Sequence, residues 1–108
     1  MRRYPRYAVT GVSMLPTLRD GDWVVVDRSA YSRRPPAPGE IVVAADPRGP
    51  ARAIIKRVAA VTPEGVELAG DNTGWSTDSR DYGPVPMELV TGRVCLRYWP
   101  PGRLQRPR

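Results

Sequence analysis

Seventeen residues of this 108-residue chain are Lys or Arg, yet only one of them, Lys56, is lysine, and there is no histidine. Without histidine, a Ser–His–Asp triad and a Cys–His pair are both excluded, and hydrolysis at zinc loses its usual imidazole ligands. Two hydrolytic arrangements remain. One is a carboxylate pair, for which Asp71, Asp78 and Asp81 are close in sequence. The other is a serine nucleophile served by a lysine base. A lysine can lose its proton when buried, whereas arginine keeps its proton in a protein.

Lys56 lies in Ala53-Ile54-Ile55-Lys56-Arg57-Val58. On a strand, side chains alternate, so Ile54 and Val58 flank Lys56 on one face while Ile55 and Arg57 point to the other. Apolar flanks desolvate an amine and lower its pKa, which suits a general base near neutral pH. The same spacing fits a lysine that runs its stem over apolar surface and keeps its head in water. Ser13 lies in Thr10-Gly11-Val12-Ser13-Met14-Leu15-Pro16-Thr17. It reads as a turn serine or as a nucleophile on an exposed corner, and the segment by itself favours the turn serine. Gly11 allows unusual backbone angles and close approach by a substrate chain.

The elements that must position these residues are short and β-branched. Tyr7–Thr10, Trp23–Asp27, Ile41–Ala45, Ala53–Val61, Val66–Ala69 and Gly92–Trp99 read as strands. Asp20-Gly21, Pro47 to Gly49 and Pro63-Glu64-Gly65 read as turns, the last closing a hairpin over Ala59–Ala69. Pro16–Arg19 and Pro86–Val90 fit single helical turns. Ser29–Gly39 is polar and Pro-rich, as an exposed loop would be, and Gly70–Pro86 is a long polar stretch without periodicity. The expectation is one all-β domain over residues 1–108, a small, partly closed barrel of six to seven strands.

The net charge of +6 comes from the ends. Setting aside Arg2, Arg3, Arg6, Arg103, Arg106 and Arg108 leaves eleven basic residues against eleven acidic ones. Residues 1–6 and 101–108 then read as flexible basic tails, and no aromatic-interleaved basic motif points to nucleic acid. Cys95 is the single cysteine, which excludes an internal disulfide. No apolar run approaches the ~18–20 residues of a membrane span, and no signal peptide is visible. The expected protein is cytoplasmic, soluble and monomeric, with peripheral membrane contact left open.

Gly11-Val12-Ser13-Met14-Leu15-Pro16-Thr17-Leu18 followed by Gly21-Asp22 resembles the nucleophile box of the type I signal peptidases. Ile55-Lys56-Arg57-Val58 resembles the lysine box. Gly70-Asp71-Asn72, Ser76, Asp78-Ser79-Arg80 and Tyr82-Gly83-Pro84-Val85-Pro86 resemble the third box, and the three stand in the family's order. The resemblance implies a serine endopeptidase that acts on a precursor protein and needs no cofactor or metal. It makes Ser13 the nucleophile and Lys56 the base. Ser76 would orient the Lys56 amine, Asp78 and Arg80 would form a structural ion pair, and Met14 would line a pocket for small side chains. Gly11 stands where many members carry a Ser or Thr that adds a second oxyanion donor. The membrane anchor and the large β insertion of many members are also missing from this sequence.

That reduced form resembles a subgroup, the nickel-type superoxide dismutase maturation proteases, through Ser76-Thr77-Asp78-Ser79-Arg80, Tyr82-Gly83-Pro84-Val85-Pro86 and Arg97-Tyr98-Trp99-Pro100. The resemblance implies removal of a short N-terminal leader. General signal-peptidase processing of secretory proteins is the alternative within the class. A self-cleaving regulator domain fits less well, because only twelve residues precede Ser13. A non-catalytic β-barrel binding module explains the basic ends but not three ordered boxes.

Overall fold

The computed structural model describes residues 3–75 and 79–99. Six strands form one antiparallel sheet: β1 (Arg6–Ala8), β2 (Trp23–Asp27), β3 (Ile41–Asp46), β4 (Gly49–Thr62), β5 (Gly65–Ala69) and β6 (Val90–Trp99). Their order across the sheet is β1-β2-β6-β3-β4-β5. The β-dominated expectation holds, with one correction. The two ends of the sheet, β1 and β5, are not paired with each other, so the sheet is open and does not close into a barrel.

The central strand explains the packing. In β3, Ile41, Val42, Val43 and Ala44 are all buried, the pattern of a strand covered on both faces. Ile41 and Val43 join a cluster with Val24, Val26, Val94, Met14 and Leu18. Val42 and Ala44 face the other way and join Val58, Val66, Leu68 and Val85. The loop between β1 and β2 supplies Met14 and Leu18 to the first cluster, so apolar burial holds it down. The segment Tyr82–Pro86 reaches the second cluster through Val85, which bridges to Val66. Gly65 makes that approach feasible. A Cβ there would stand 2.2 Å from the Val85 carbonyl oxygen.

One local expectation changes. Pro16–Arg19 is not a helix: Ser13–Thr17 is a turn held by bonds from the Leu15 N–H to the Val12 carbonyl at 3.2 Å and from the Leu18 N–H to the Met14 carbonyl at 2.9 Å. Pro16 has no N–H with which to continue a helical ladder. The Pro-rich loop Ser29–Gly39 is anchored at Glu40, whose carboxylate accepts from Arg34, Tyr31 and the Ala37 N–H and lies 3.3 Å from Arg93. Burial works against the Glu40 carboxylate, but these donors outweigh it and hold the group at about 2. At the other turn, Thr73–Trp75 is a 3-10 turn and Ser79–Tyr82 one short helix (α1), while Met87–Leu89 forms the turn expected near Pro86–Val90.

The base of the β1–β2 loop is closed by the Val9 N–H to Asp22 carbonyl bond and the Gly21 N–H to Val9 carbonyl bond. Below it, Asp22 is buried beside Arg97 of β6, whose Nη1 stands 3.7 Å from Asp22 Oδ2 and donates to the Thr17 carbonyl at 3.2 Å. Asp22 Oδ2 also accepts from the Arg19 N–H at 2.9 Å. Removing one member of a buried pair strands the other. Asp22→Ala is therefore expected to lower unfolding free energy by about 3 kcal/mol or more in urea titrations. A change below about 0.5 kcal/mol, the range of surface substitutions, would contradict this account of the loop.

Candidate active site

Lys56 sits on β4 opposite Val42 of β3 and is only 6% exposed. Strand alternation puts Ile54 and Val58 on its own face, and both pack into the second apolar cluster. Ile55 and Arg57 project to the other face, where Ile55 packs against the first cluster. Lys56 is therefore buried between apolar strand neighbours, while the cavity it lines also includes Ser13, Asp46, Arg48 and Arg52.

Arg57 uses the opposite face of the strand to hold the loop that carries Ser13. Its guanidinium grips Asp71 with two bonds of 2.8 Å, from Nε and from Nη2, and its Nη1 donates to the Gly39 carbonyl at 2.7 Å. Asp71 Oδ2 also accepts a short hydrogen bond from the Thr17 hydroxyl. The next residue, Asn72, donates its N–H to the Ser13 carbonyl at 2.8 Å and its side-chain amide to the Val12 carbonyl at 3.1 Å. The Asp71-Asn72 pair thus straps both ends of the Ser13 turn. Burial raises the Asp71 carboxyl, but bonds from Arg57 and Thr17 and the Arg57 charge outweigh it and leave the group below its ordinary value.

Ser13 and Lys56 line one cavity of about 210 Å³. The same cavity is walled by Tyr7 to Thr10 on one side and by Arg52 to Ile55 on the other. Met14 also lines it, with its side chain 1% exposed. Gly11 is exposed, with φ +80°, and its N–H is bonded to Asp20 Oδ1 at 2.8 Å. Ser76 and Asp78 lie outside the described residues. Arg80 is exposed and donates from Nη2 to the Thr73 carbonyl at 3.1 Å. Sequence reasoning placed Arg57 on the face opposite Lys56 and offered Asp71 as a motif residue and a candidate carboxylate, but missed the bond between them. The hairpin register held the clue, because Arg57 pairs with Ala69 and leaves Asp71 two residues farther on.

The strap makes an expected outcome specific. Asp71→Asn should cost about 1.5–3 kcal/mol of stability at neutral pH, the scale of hydrogen bonds to a charged group. Because the folded carboxyl is depressed, its contribution is present above the ordinary value of 3.8 and is lost as pH falls through the lower folded value. Thermal melts from pH 7 to pH 2 should therefore fall less steeply for Asp71→Asn than for the parent. Parallel curves would mean that Asp71 carries no such linkage.

The family model for signal peptidase, peptidase S26, matches residues 3–72. The chain is 39% identical over 111 residues to mitochondrial inner membrane protease subunit 1 of Xenopus tropicalis, covering 84% of this chain and 66% of that protein. It is 35% identical over 116 residues to the mitochondrial ATP-independent inner membrane protease subunit 1a of Arabidopsis thaliana, covering 86% and 69%. It is 35% identical over 120 residues to mitochondrial inner membrane protease subunit 2 of Danio rerio, covering 91% and 66%. The chain thus spans about two thirds of the length of these relatives. Among the described residues, no helix is long and apolar enough to cross a membrane. Two thirds of the sequence matched by one family model, with relatives above 30% identity over most of the chain, place this protein in the signal peptidase family, peptidase S26, a family of serine peptidases.

Proposed function

We propose that this chain is a serine endopeptidase that removes an N-terminal leader from a precursor protein, with Ser13 as nucleophile and Lys56 as general base. The observation that carries this reading is the single cavity lined by both residues, with the lysine almost wholly buried. Burial disfavours the charged form of an amine, and a neutral amine can accept a proton from a serine hydroxyl.

The steps follow. The Ser13 Oγ forms a bond to the scissile carbonyl carbon as its proton passes to the Lys56 amine. The carbonyl oxygen becomes an oxyanion, to which the Ser13 N–H donates. As the tetrahedral intermediate collapses, the C–N bond breaks and the Lys56 ammonium returns the proton to the leaving amine. Water then attacks the acyl carbon, giving a proton to Lys56; as the C–Oγ ester bond breaks, the Lys56 ammonium returns that proton to Ser13 Oγ, and the product leaves as a carboxylic acid that ionises in water. The Gly11 N–H is already committed to Asp20, so a second oxyanion donor must come from elsewhere. Within this reading Ser76 orients the Lys56 amine, and Asp78 pairs with Arg80 to brace the loop beneath it.

The cavity also suits an extended peptide. β5 pairs with β4 only from Arg57 onward, so the stretch before Lys56 has an edge that β5 does not cover. β1 is the opposite end strand of the sheet. Unpaired strand edges bind peptides by main-chain hydrogen bonds. Met14 lines the floor beside Ser13 and would restrict the adjacent side chain to a small one.

Two substrates are in view. The nickel-type superoxide dismutase precursor is supported by the resemblance carried by Tyr82-Gly83-Pro84-Val85-Pro86 and Arg97-Tyr98-Trp99-Pro100. Leader peptides of membrane-associated precursors are supported by relatives named as inner membrane proteases. Incubation with each precursor and the mass of the product separates them, and an unchanged superoxide dismutase precursor would count against the first.

Ser13→Ala and Lys56→Met are each expected to lower kcat by about 10⁴-fold or more while the circular dichroism spectrum is kept, in line with the loss of members of a catalytic unit. Turnover should also fall as pH drops and Lys56 becomes protonated. Cleavage retained by Ser13→Ala would refute the peptidase assignment of this residue.

A further inference from the structure

The charges around the cavity are not balanced. Its lining includes one carboxylate, Asp46, against the two guanidinium groups of Arg48 and Arg52. Asp46 is buried, and both of its oxygens are occupied. Oδ1 accepts from the Arg48 N–H at 2.9 Å and from Arg48 Nε at 3.0 Å, and Oδ2 accepts from Arg48 Nη2 at 2.9 Å. These Arg48 bonds hold the Asp46 carboxyl below its ordinary value against the effect of burial. Arg48 is in turn compensated by Asp46 and lies over the Tyr82 ring at 5.2 Å. Arg52 differs. It is exposed on the cavity wall, and among the described residues no carboxylate forms an ion pair with it.

Strand geometry sets where that cation stands. Counting back from Lys56 and Ile54 by alternation puts Arg52 on the same face of β4, beside the irregularity where the β3 pairing jumps from Ala53 to Gly49, and four residues at about 3.3 Å each place it at most roughly 13 Å from Lys56. A peptide laid along this edge with its scissile carbonyl at Ser13 carries a side chain about four residues away past Arg52.

We propose that Arg52 is a specificity-determining residue that selects substrates with an Asp or Glu carboxylate about four residues from the scissile bond. This rests on the peptidase reading, yet it can be tested without turnover. Fluorescein-labelled alanine-based decapeptides, each with Glu or Gln at one scanned position, are titrated into the Ser13→Ala variant. The Glu peptide is expected to bind three- to fivefold tighter than its Gln partner, the scale of a partly exposed ion pair. Added salt should shrink the difference. The preference should vanish in Ser13→Ala/Arg52→Gln and turn toward Lys peptides in Ser13→Ala/Arg52→Glu. Product masses from the Ser13-containing enzyme then locate the Glu relative to the cut bond.

Equal binding of Glu and Gln peptides at every position, or a preference that survives Arg52→Gln, overturns the proposal. A preferred Glu immediately beside the cut bond overturns its placement. Peptides that bind with the Arg52-dependent preference but are never cut by the Ser13-containing enzyme would sink the peptidase reading and leave the Arg52 subsite standing.

Discussion

An ammonium taken out of water is expensive to keep charged, and Lys56 is held almost wholly out of water on the strand that walls the cavity. That constraint organises the molecule. The apolar pair Ile54 and Val58 keeps one face of β4 dry around the amine, and β3, covered on both faces, supplies Val42 opposite it. The next residue in sequence, Arg57, points the other way and holds Asp71, which holds Thr17. One dipeptide on one strand thus fixes both partners of the proposed dyad. Lys56 is set directly, and the Ser13 turn is set through a chain of charged hydrogen bonds on the far side of the sheet.

The β1–β2 loop is accordingly a rigid part of the fold. Leu18 and Met14 bury its apolar side, Arg97 and Asp22 hold it from below, and Asn72 and Asp71 hold it from the side. A nucleophile must be kept within a fraction of an ångström of its productive place, and such precision comes from neighbours that are themselves locked. The arginines near the site divide by their partners. Arg57 and Arg97 are spent on carboxylates and loop carbonyls, and Arg48 is spent on Asp46. Arg52, on the cavity wall, feels Asp46 only at longer range and has no described carboxylate within ion-pair distance, and it is the one proposed to meet a substrate.

Much of this was legible from residue types. β-branched runs marked all six strands to within a few residues, because period-two burial needs such side chains on a pleated surface. The absence of histidine and the solitary lysine narrowed the chemistry before any geometry was known. The open edge of the sheet was not legible, since closure depends on accumulated twist and strand length, which no local run records. The Asp22–Arg97 contact was also hidden. It joins residues 75 positions apart through the pairing of β2 with β6, and short polar signals do not reveal which distant strands will be neighbours. By contrast, the Arg57–Asp71 bond followed from the register of a hairpin that was itself expected, and it would have been found by counting past Ala69.

Because the chain contains a single lysine, the state of the proposed base can be read without ambiguity. Selective isotope labelling of lysine and an NMR titration of the side-chain resonance give the ionisation of Lys56 alone. The account expects a midpoint well below the ordinary lysine value of about 10.4, with the amine neutral in an appreciable fraction of molecules near pH 8. A midpoint at or above about 10.4 would mean a charged, solvated side chain and would contradict the role given to Lys56.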